Sequence, residues 1–510
     1  MPLAVFDSAS IACLDAVSVS VEVDAMVAEE RQSLVIVGLP DSAVRESKDR
    51  VLSAVRNSGY ALGSLYGVVN LAPGDLKKEG SLYDLPIALG LLSSFGKIPH
   101  SQIQNDYLVV GELALSGELR PVTGALSMAV LARDLGKKGL ILPIQNAKEA
   151  AAVPGISIIP VTHLNEAVAF FSNPESIQPV SVSMTQDLFT AARDIAIDFA
   201  DIKGQLFVKR AVEIAAAGGH NILLSGPPGS GKTMLAKALL GIIPEFTLEE
   251  AIECTKIYSI AGLLPEGKSL MTERPFRSPH HTISYAGLIG GGAVPRPGEV
   301  SLANGGVLFL DELPEFPRRV LEVLRQPLED RRVTISRANG NFTFPTSFIC
   351  IAAMNPCPCG YLGHPDKPCR DSQFEVSRYR GRISGPLLDR MDMHIDVPAL
   401  RYSDMIATNQ GETSLVVRDR VQQARLKQYA RLGIGRTNGV MLPKESKIHA
   451  PLDAACHALL QQAIDVMGAS ARTCDRLVKV ALTISDLAGS DRIERHHLLE
   501  AISFRNISAR

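Results

Sequence analysis

The sequence predicts an α/β core set between an α+β N-terminal domain and an all-helical C-terminal region. Three observations carry this. The apolar run Asn221-Ile222-Leu223-Leu224-Ser225 leads into GPPGSGKT at 226–233 and then into the helix-like Met234–Leu240, a strand–loop–helix order. Two more apolar runs, Val307–Leu310 and Phe348–Met354, read as buried parallel strands, and each ends in polar residues. Between residues 400 and 510 the apolar spacing is helical throughout.

The boundaries expected from these patterns are 1–170 for the N-terminal domain, 171–199 for a linker, 200–399 for the core and 400–510 for a helical lid. A chain of 510 residues fits about three domains. With 46% apolar and 21% charged residues, the composition is globular. No uncharged apolar run is long enough to span a bilayer. MPLAVFDSASIACLDAV has no basic stretch ahead of an apolar one, so no signal peptide is expected. Both points lead to a cytoplasmic expectation, in which the eight cysteines are thiols or metal ligands rather than disulfides. A net charge of −2 restricts any nucleic-acid contact to a local basic patch.

In the N-terminal region, Val17–Val23 alternates as a half-buried strand. Leu34–Val37 is a short strand closed by the turn Gly38-Leu39-Pro40-Asp41, and Ser42–Ser58 has helical spacing. Gly67–Leu71, Leu108–Glu112 and Gly139–Pro143 read as strands; Ser81–Ser94 and Gly124–Leu135 read as helices. GELALSGELRPVTGAL followed by ARDLGKKGLILP resembles the Lon-protease-like domain of the ribosomal S5 domain-2 fold. That resemblance implies a serine–lysine site, but Leu82 and Leu126 stand at the two positions, so no peptidase activity is expected. SNPESIQPVSVSMT at 172–185 is polar, contains two prolines and marks the domain junction.

The core carries a nucleotide site. Gly226, Pro227, Pro228, Gly229, Ser230 and Gly231 form a loop whose backbone N–H groups can face a phosphate chain. Lys232 can reach the β- and γ-phosphates, and the Thr233 hydroxyl can ligate Mg²⁺. Asp311 can hold the Mg²⁺ of bound ATP through water, and Glu312 can polarise the attacking water. Asn355 ends the third strand, where a polar side chain can orient that water.

Several positions match AAA+ ATPases. DIKGQ at 201–205 resembles the segment beside the adenine, which implies nucleotide contact by Ile202 and Gly204. Asn355 matches sensor 1. Arg390 in GPLLDRMD resembles the arginine finger supplied to a neighbouring subunit, and Arg472 matches the sensor-2 arginine. The fold expectation is therefore an α/β AAA+ P-loop ATPase core with a C-terminal helical lid, preceded by an α+β Lon-protease-like (ribosomal S5 domain 2-like) domain.

VVNLAPGDLKKEGSLYDLPIALGLL, FRSPHHTISYAGLIGGG, PGEVSLANGGVLFLDELPEF and SGPLLDRMD together resemble the magnesium-chelatase-related AAA+ ATPases of the ComM/YifB type over nearly the whole chain. The resemblance implies a homohexameric ring that drives branch migration of DNA in natural transformation and homologous recombination, acting on single-stranded and branched double-stranded DNA, with recombination proteins as further partners. The alternative it implies is a chelatase-like ATPase that remodels a protein or metal-insertion complex.

Two insertions favour a DNA motor. One is glycine-rich, around Phe276–Glu299. The other, Arg331–Phe344, alternates and contains Asn339-Gly340, a strong hairpin signal. Arg337 near its tip, with Arg331 and Arg332 at its base, is expected to contact phosphates, whereas Phe342 is expected to pack against the hairpin base. Finally, Cys357, Cys359 and Cys369 lie close together with His364 and Asp371. They form a candidate zinc site whose fourth ligand is either His364 or Asp371.

Overall fold

The computed structural model describes residues 3–28, 33–78, 80–99, 103–180, 197–265, 268–292, 295–337, 340–399, 411–467 and 470–505. The chain divides into two units, one of residues 1–188 with 251–271, the other of residues 189–250 with 272–510.

The first unit is a seven-stranded mixed sheet backed by helices. Its elements are β1 (Ala4–Ala12), β2 (Asp15–Val27), β3 (Ser33–Val37), α1 (Ser42–Asn57), β4 (Leu65–Ala72), α2 (Asp84–Ser94), β5 (Tyr107–Val109), α3 (Ala125–Asp134), β6 (Gly139–Pro143), β7 (Ser157–Val161) and α4 (Leu164–Ser172). The sheet order is β3-β4-β2-β1-β5-β6-β7. Antiparallel pairing joins β1 to β2 and β2 to β4; the outer pairs are parallel. Helix α2 is apolar nearly all round and buried along its whole length, which makes it the centre of this core. Its one acid, Asp84, is fully buried and pairs with Arg50 on α1 at 2.9 Å. Burial pushes the Asp84 carboxyl up, against the pull of Arg50.

Two strands escape the sequence reading. β1 mixes serines and an aspartate into its alternation, and β7 is interrupted by Pro160. At the expected peptidase positions the structure has Leu82 and a fully buried Leu126, which lie in apolar packing.

Residues 251–271 group with this first unit although the sequence pattern assigns them to the core. They include most of α7 (Leu248–Ala261), which follows α5 and α6 described below. Lys256 pairs with Asp15 at 2.8 Å, and the Ser259 hydroxyl donates to Glu149 at 2.8 Å. These side-chain contacts span more than a hundred positions in sequence, out of reach of periodicity.

The second unit contains α5 (Leu206–Gly218), β8 (Ile222–Ser225), α6 (Lys232–Ile242), β9 (Phe276–Arg277), α8 (Tyr285–Ile289), β10 (Val307–Leu310), β11 (Arg332–Arg337), β12 (Gly340–Pro345), β13 (Ile349–Met354) and β14 (Met393–Asp396). The helical lid contributes α9 (Ser414–Leu432), α10 (Ala454–Met467), α11 (Ala471–Leu487) and α12 (Arg495–Ser503). The five-stranded sheet has the order β9-β10-β13-β8-β14, and every pairing in it is parallel. Its strands are buried on both faces, as a parallel sheet requires, and helix α5 and the lid helices share their core. The fold is thus mixed α/β with a parallel core sheet and a helical lid. Most of the linker and the start of the first lid segment (residues 181–196 and 400–410) lie outside the described residues.

Candidate functional site

In a parallel sheet, the carboxyl ends of adjacent strands open onto one edge. Here β8, β10 and β13 deliver the 226–233 loop, Asp311 and Asn355 to that edge, because they are neighbours in the sheet despite their distance in sequence. The loop turns sharply after β8. A Cβ on Gly226 would sit 2.4 Å from the Val397 carbonyl oxygen, so only glycine fits there. Gly231 caps α6 in the left-handed region at φ +84°, which points the helix N-terminus into the loop.

Lys232 folds back over this loop. Its Nζ donates to the Gly226 carbonyl at 2.7 Å and the Pro227 carbonyl at 3.0 Å, and lies 3.4 Å from Asn355 Oδ1. Burial lowers its pKa, opposed by the nearby Asp311. The Thr233 hydroxyl lies 3.5 Å from Asp311 Oδ2. A hydroxyl and a carboxylate at that spacing, both exposed, suit a Mg²⁺ held by Thr233 directly and by Asp311 through water. Asp311 also accepts from the Glu312 N–H at 2.9 Å. Glu312 adopts φ +51°, a left-handed conformation uncommon for a residue with a side chain.

The structure therefore brings together Lys232, Thr233, Asp311, Glu312 and Asn355. Ile202 is buried, and its carbonyl accepts from Lys209 at 3.0 Å; Gly204 takes a left-handed turn at φ +60°. The residue of that segment that reaches the loop is Gln205, whose amide donates to the Ser230 carbonyl at 3.0 Å. It was not singled out from sequence, because a glutamine after a glycine carries no pattern.

The arginines are arranged differently. Arg390 is buried, ion-paired with Glu329, and donates to the carbonyls of Arg325 at 3.0 Å and Pro386 at 2.8 Å. Arg472 stands exposed at the start of α11, 3.7 Å from the same Glu329. Glu329 thus gathers both, which the sequence does not show. Asp392, two residues past Arg390, is buried and bound instead to Arg476, to the Asn221 N–H at 2.9 Å and to His220 at 3.7 Å. Burial acts to raise its pKa, but Arg476 and His220 overcome that and hold it well below the usual carboxylate range.

The second insertion is a hairpin: β11 and β12 pair antiparallel from Arg332↔Pro345 to Arg337↔Gly340, with residues 338–339 outside the described set. Phe342 is half-buried opposite Ile335, in the hairpin rather than at its tip. Arg331 does not suit the phosphate contact expected of it. Its guanidinium turns inward to the Phe348 carbonyl and lies 3.5 Å from the Gly219 carbonyl, and burial lowers its pKa. Arg332 and Arg337 are exposed. Arg337 Nε donates to the Gly292 carbonyl at 3.3 Å, so the glycine-rich insert and the hairpin lie side by side.

Just past Asn355, the three thiols of Cys357, Cys359 and Cys369 lie 3.4–3.6 Å apart. Asp371 Oδ2 is 3.7 Å from the Cys369 sulfur. All four ligand atoms lie within 4.8 Å of one another. A tetrahedral zinc with Zn–S near 2.3 Å sets sulfurs about 3.8 Å apart, so the donor set fits. His364 is not in the cluster: its Nδ1 accepts from the Asp366 and Lys367 N–H groups at 3.1 and 3.2 Å. Of the two candidate fourth ligands, the geometry places Asp371 there. Among the described residues no helix is long and apolar enough to cross a membrane.

Three family descriptions match the chain. "Magnesium chelatase, subunit ChlI" covers residues 198–405, "Subunit ChlI of Mg-chelatase" residues 21–146, and "Magnesium chelatase, subunit ChlI C-terminal" residues 411–505. Competence protein ComM of Haemophilus influenzae is 41% identical over 509 residues, 99% of this chain and 98% of its own length. The protein YifB of Escherichia coli is 40% identical over 488 residues, 96% of this chain and 94% of its own. The Lon protease of Syntrophomonas wolfei is 26% identical over 160 residues, 29% of this chain and 19% of its own.

Proposed function

The chain belongs to the magnesium-chelatase-related AAA+ ATPases of the ComM/YifB type, and from that membership we propose that it is an ATP-driven motor that moves on DNA. The observation that carries the reading is the meeting of two insertions beside a P-loop site: the Arg332/Arg337 hairpin lies against the glycine-rich 290–292 segment. The relative named for competence supports a role in integrating DNA during natural transformation, by branch migration in homologous recombination. The chain acts in the cytoplasm as a homohexamer, the arrangement in which one subunit's arginine completes a neighbour's site.

ATP binds along the 226–233 loop, with the adenine near Ile202 and Gly204. Bound Mg²⁺ neutralises phosphate charge, and Thr233 and Asp311 hold it. Lys232 leaves the Gly226 and Pro227 carbonyls to take the phosphates in their place, since one ammonium cannot serve both. Glu312 polarises the water and Asn355 orients it. Arg472 faces its own subunit's nucleotide, and Arg390 reaches the next subunit's once Glu329 releases it. The Cys357, Cys359, Cys369 and Asp371 cluster holds a structural zinc that pins the loop after Asn355.

The test is ATP turnover with and without single-stranded and forked DNA, and strand exchange on a four-way junction. The motor reading expects DNA-stimulated hydrolysis and a moved junction. A rate indifferent to DNA, with the junction left in place, returns the chain to the alternative of a protein-remodelling or metal-insertion ATPase.

A further inference from the structure

The segment between β9 and α8 holds two histidines, His280 and His281, that the nucleotide site does not use. His281 Nδ1 lies 3.3 Å from Glu312 Oε2. The His281 ring is braced on both sides. It lies against His280, with centroids 4.0 Å apart, and meets the Phe316 ring edge-on at 6.4 Å. His280 is itself tied to the Thr282 hydroxyl at 2.9 Å. The histidine is therefore held in place, whereas the Glu312 side chain is more than half exposed and rests on it. The same piece of chain continues through α8 to Gly292, whose carbonyl receives Arg337 of the hairpin. One continuous segment thus touches the carboxylate at one end and a hairpin arginine at the other.

We propose that His281 is a positioning residue that restrains Glu312 while the hairpin is empty and releases it when DNA displaces the 278–292 segment. The inference rests on the DNA-motor reading for its trigger. Its physical basis is local. A carboxylate that accepts a proton donor is a weaker base towards water than a free one. A phosphate taking Arg337 away from Gly292 removes one of the contacts that hold the segment against the hairpin.

The test compares His281→Ala, His281→Gln and the double variant His281→Ala/Glu312→Gln. ATP turnover is measured with and without forked DNA, and a fluorescent ATP analogue reports binding. His281→Ala is expected to raise the DNA-free kcat about fivefold or more, with nucleotide affinity within about twofold, and to bring the DNA stimulation ratio towards one. His281→Gln keeps a donor and is expected to restore most of the restraint. The double variant is expected to be inactive, since the effect runs through Glu312. A DNA-free kcat that is unchanged or lower with nucleotide binding intact overturns the proposal, as does a double variant that still turns over. If nucleotide binding is lost in His281→Ala, the decision passes to His281→Gln, in which a DNA stimulation ratio moved to one overturns the proposal and a ratio kept near the parent's upholds it. Failure of the motor reading looks different: the parent protein then shows no DNA stimulation, while the DNA-free rise in His281→Ala remains.

Discussion

Replacing Asp392 with asparagine removes the one charge that binds three separate parts of the second unit. The carboxylate is 7% exposed and pairs with Arg476 on α11, the Asn221 N–H ahead of β8, and His220. Asparagine keeps the volume but leaves the Arg476 guanidinium uncompensated, and that side chain is itself only 19% exposed. Breaking a buried pair on one side costs about 3–5 kcal/mol. At about 2 °C per kcal/mol for a unit of this size, the melting temperature falls by roughly 6–10 °C. The pH dependence has a definite sign. The folded pKa of Asp392 is depressed, so the native state binds fewer protons there than the unfolded chain, whose aspartates titrate near about 3.9. The stabilisation is complete above that value and is lost as pH falls below it. Thermal unfolding of the full chain at pH 7 and in acid measures both effects: a large gap between parent and variant at pH 7 that narrows below about pH 4. A gap under about 0.5 kcal/mol at pH 7, or one that does not narrow in acid, refutes the reasoning. Adding Arg476→Met to Asp392→Asn is expected to recover part of the loss, since it removes the orphaned charge.

Glu312→Gln is expected to keep ATP binding and lower turnover about 10²–10⁴-fold, read by steady-state hydrolysis beside a binding titration. Arg332→Ala and Arg337→Ala are each expected to weaken DNA binding alike for all sequences and to reduce the slope of log K against log salt by about one, whereas Arg331→Ala, whose guanidinium faces inward, is expected to lower stability instead. Mixing Arg390→Ala with Lys232→Ala subunits is expected to restore part of the ATPase if Arg390 acts across subunits; mixtures no better than either variant alone would assign it to the Glu329 pair. Elemental analysis is expected to find one zinc per chain, falling well below one in Cys369→Ser.

The nucleotide site was legible because its logic is local. A glycine loop between a strand and a helix, and acids or amides at strand ends, are features of short windows, and a parallel sheet then sets neighbouring strand ends side by side. The hairpin was equally legible, since alternation and Asn339-Gly340 act over a few residues. The serine-bearing β1 was not, because its burial comes from pairing with β2 and β5 rather than from its own composition.

The sequence by itself determined the α/β core, the helical lid and the residues around the phosphates. Tertiary structure alone decided where the long polar side chains went. It turned Arg331 inward, gathered Arg390 and Arg472 on Glu329, chose Asp371 over His364 for the cysteine cluster, and set His281 against Glu312. The physical reason is reach. Arginine, glutamate and histidine find partners across several ångströms and many positions of sequence, and a buried charge takes whichever counter-charge the packing supplies.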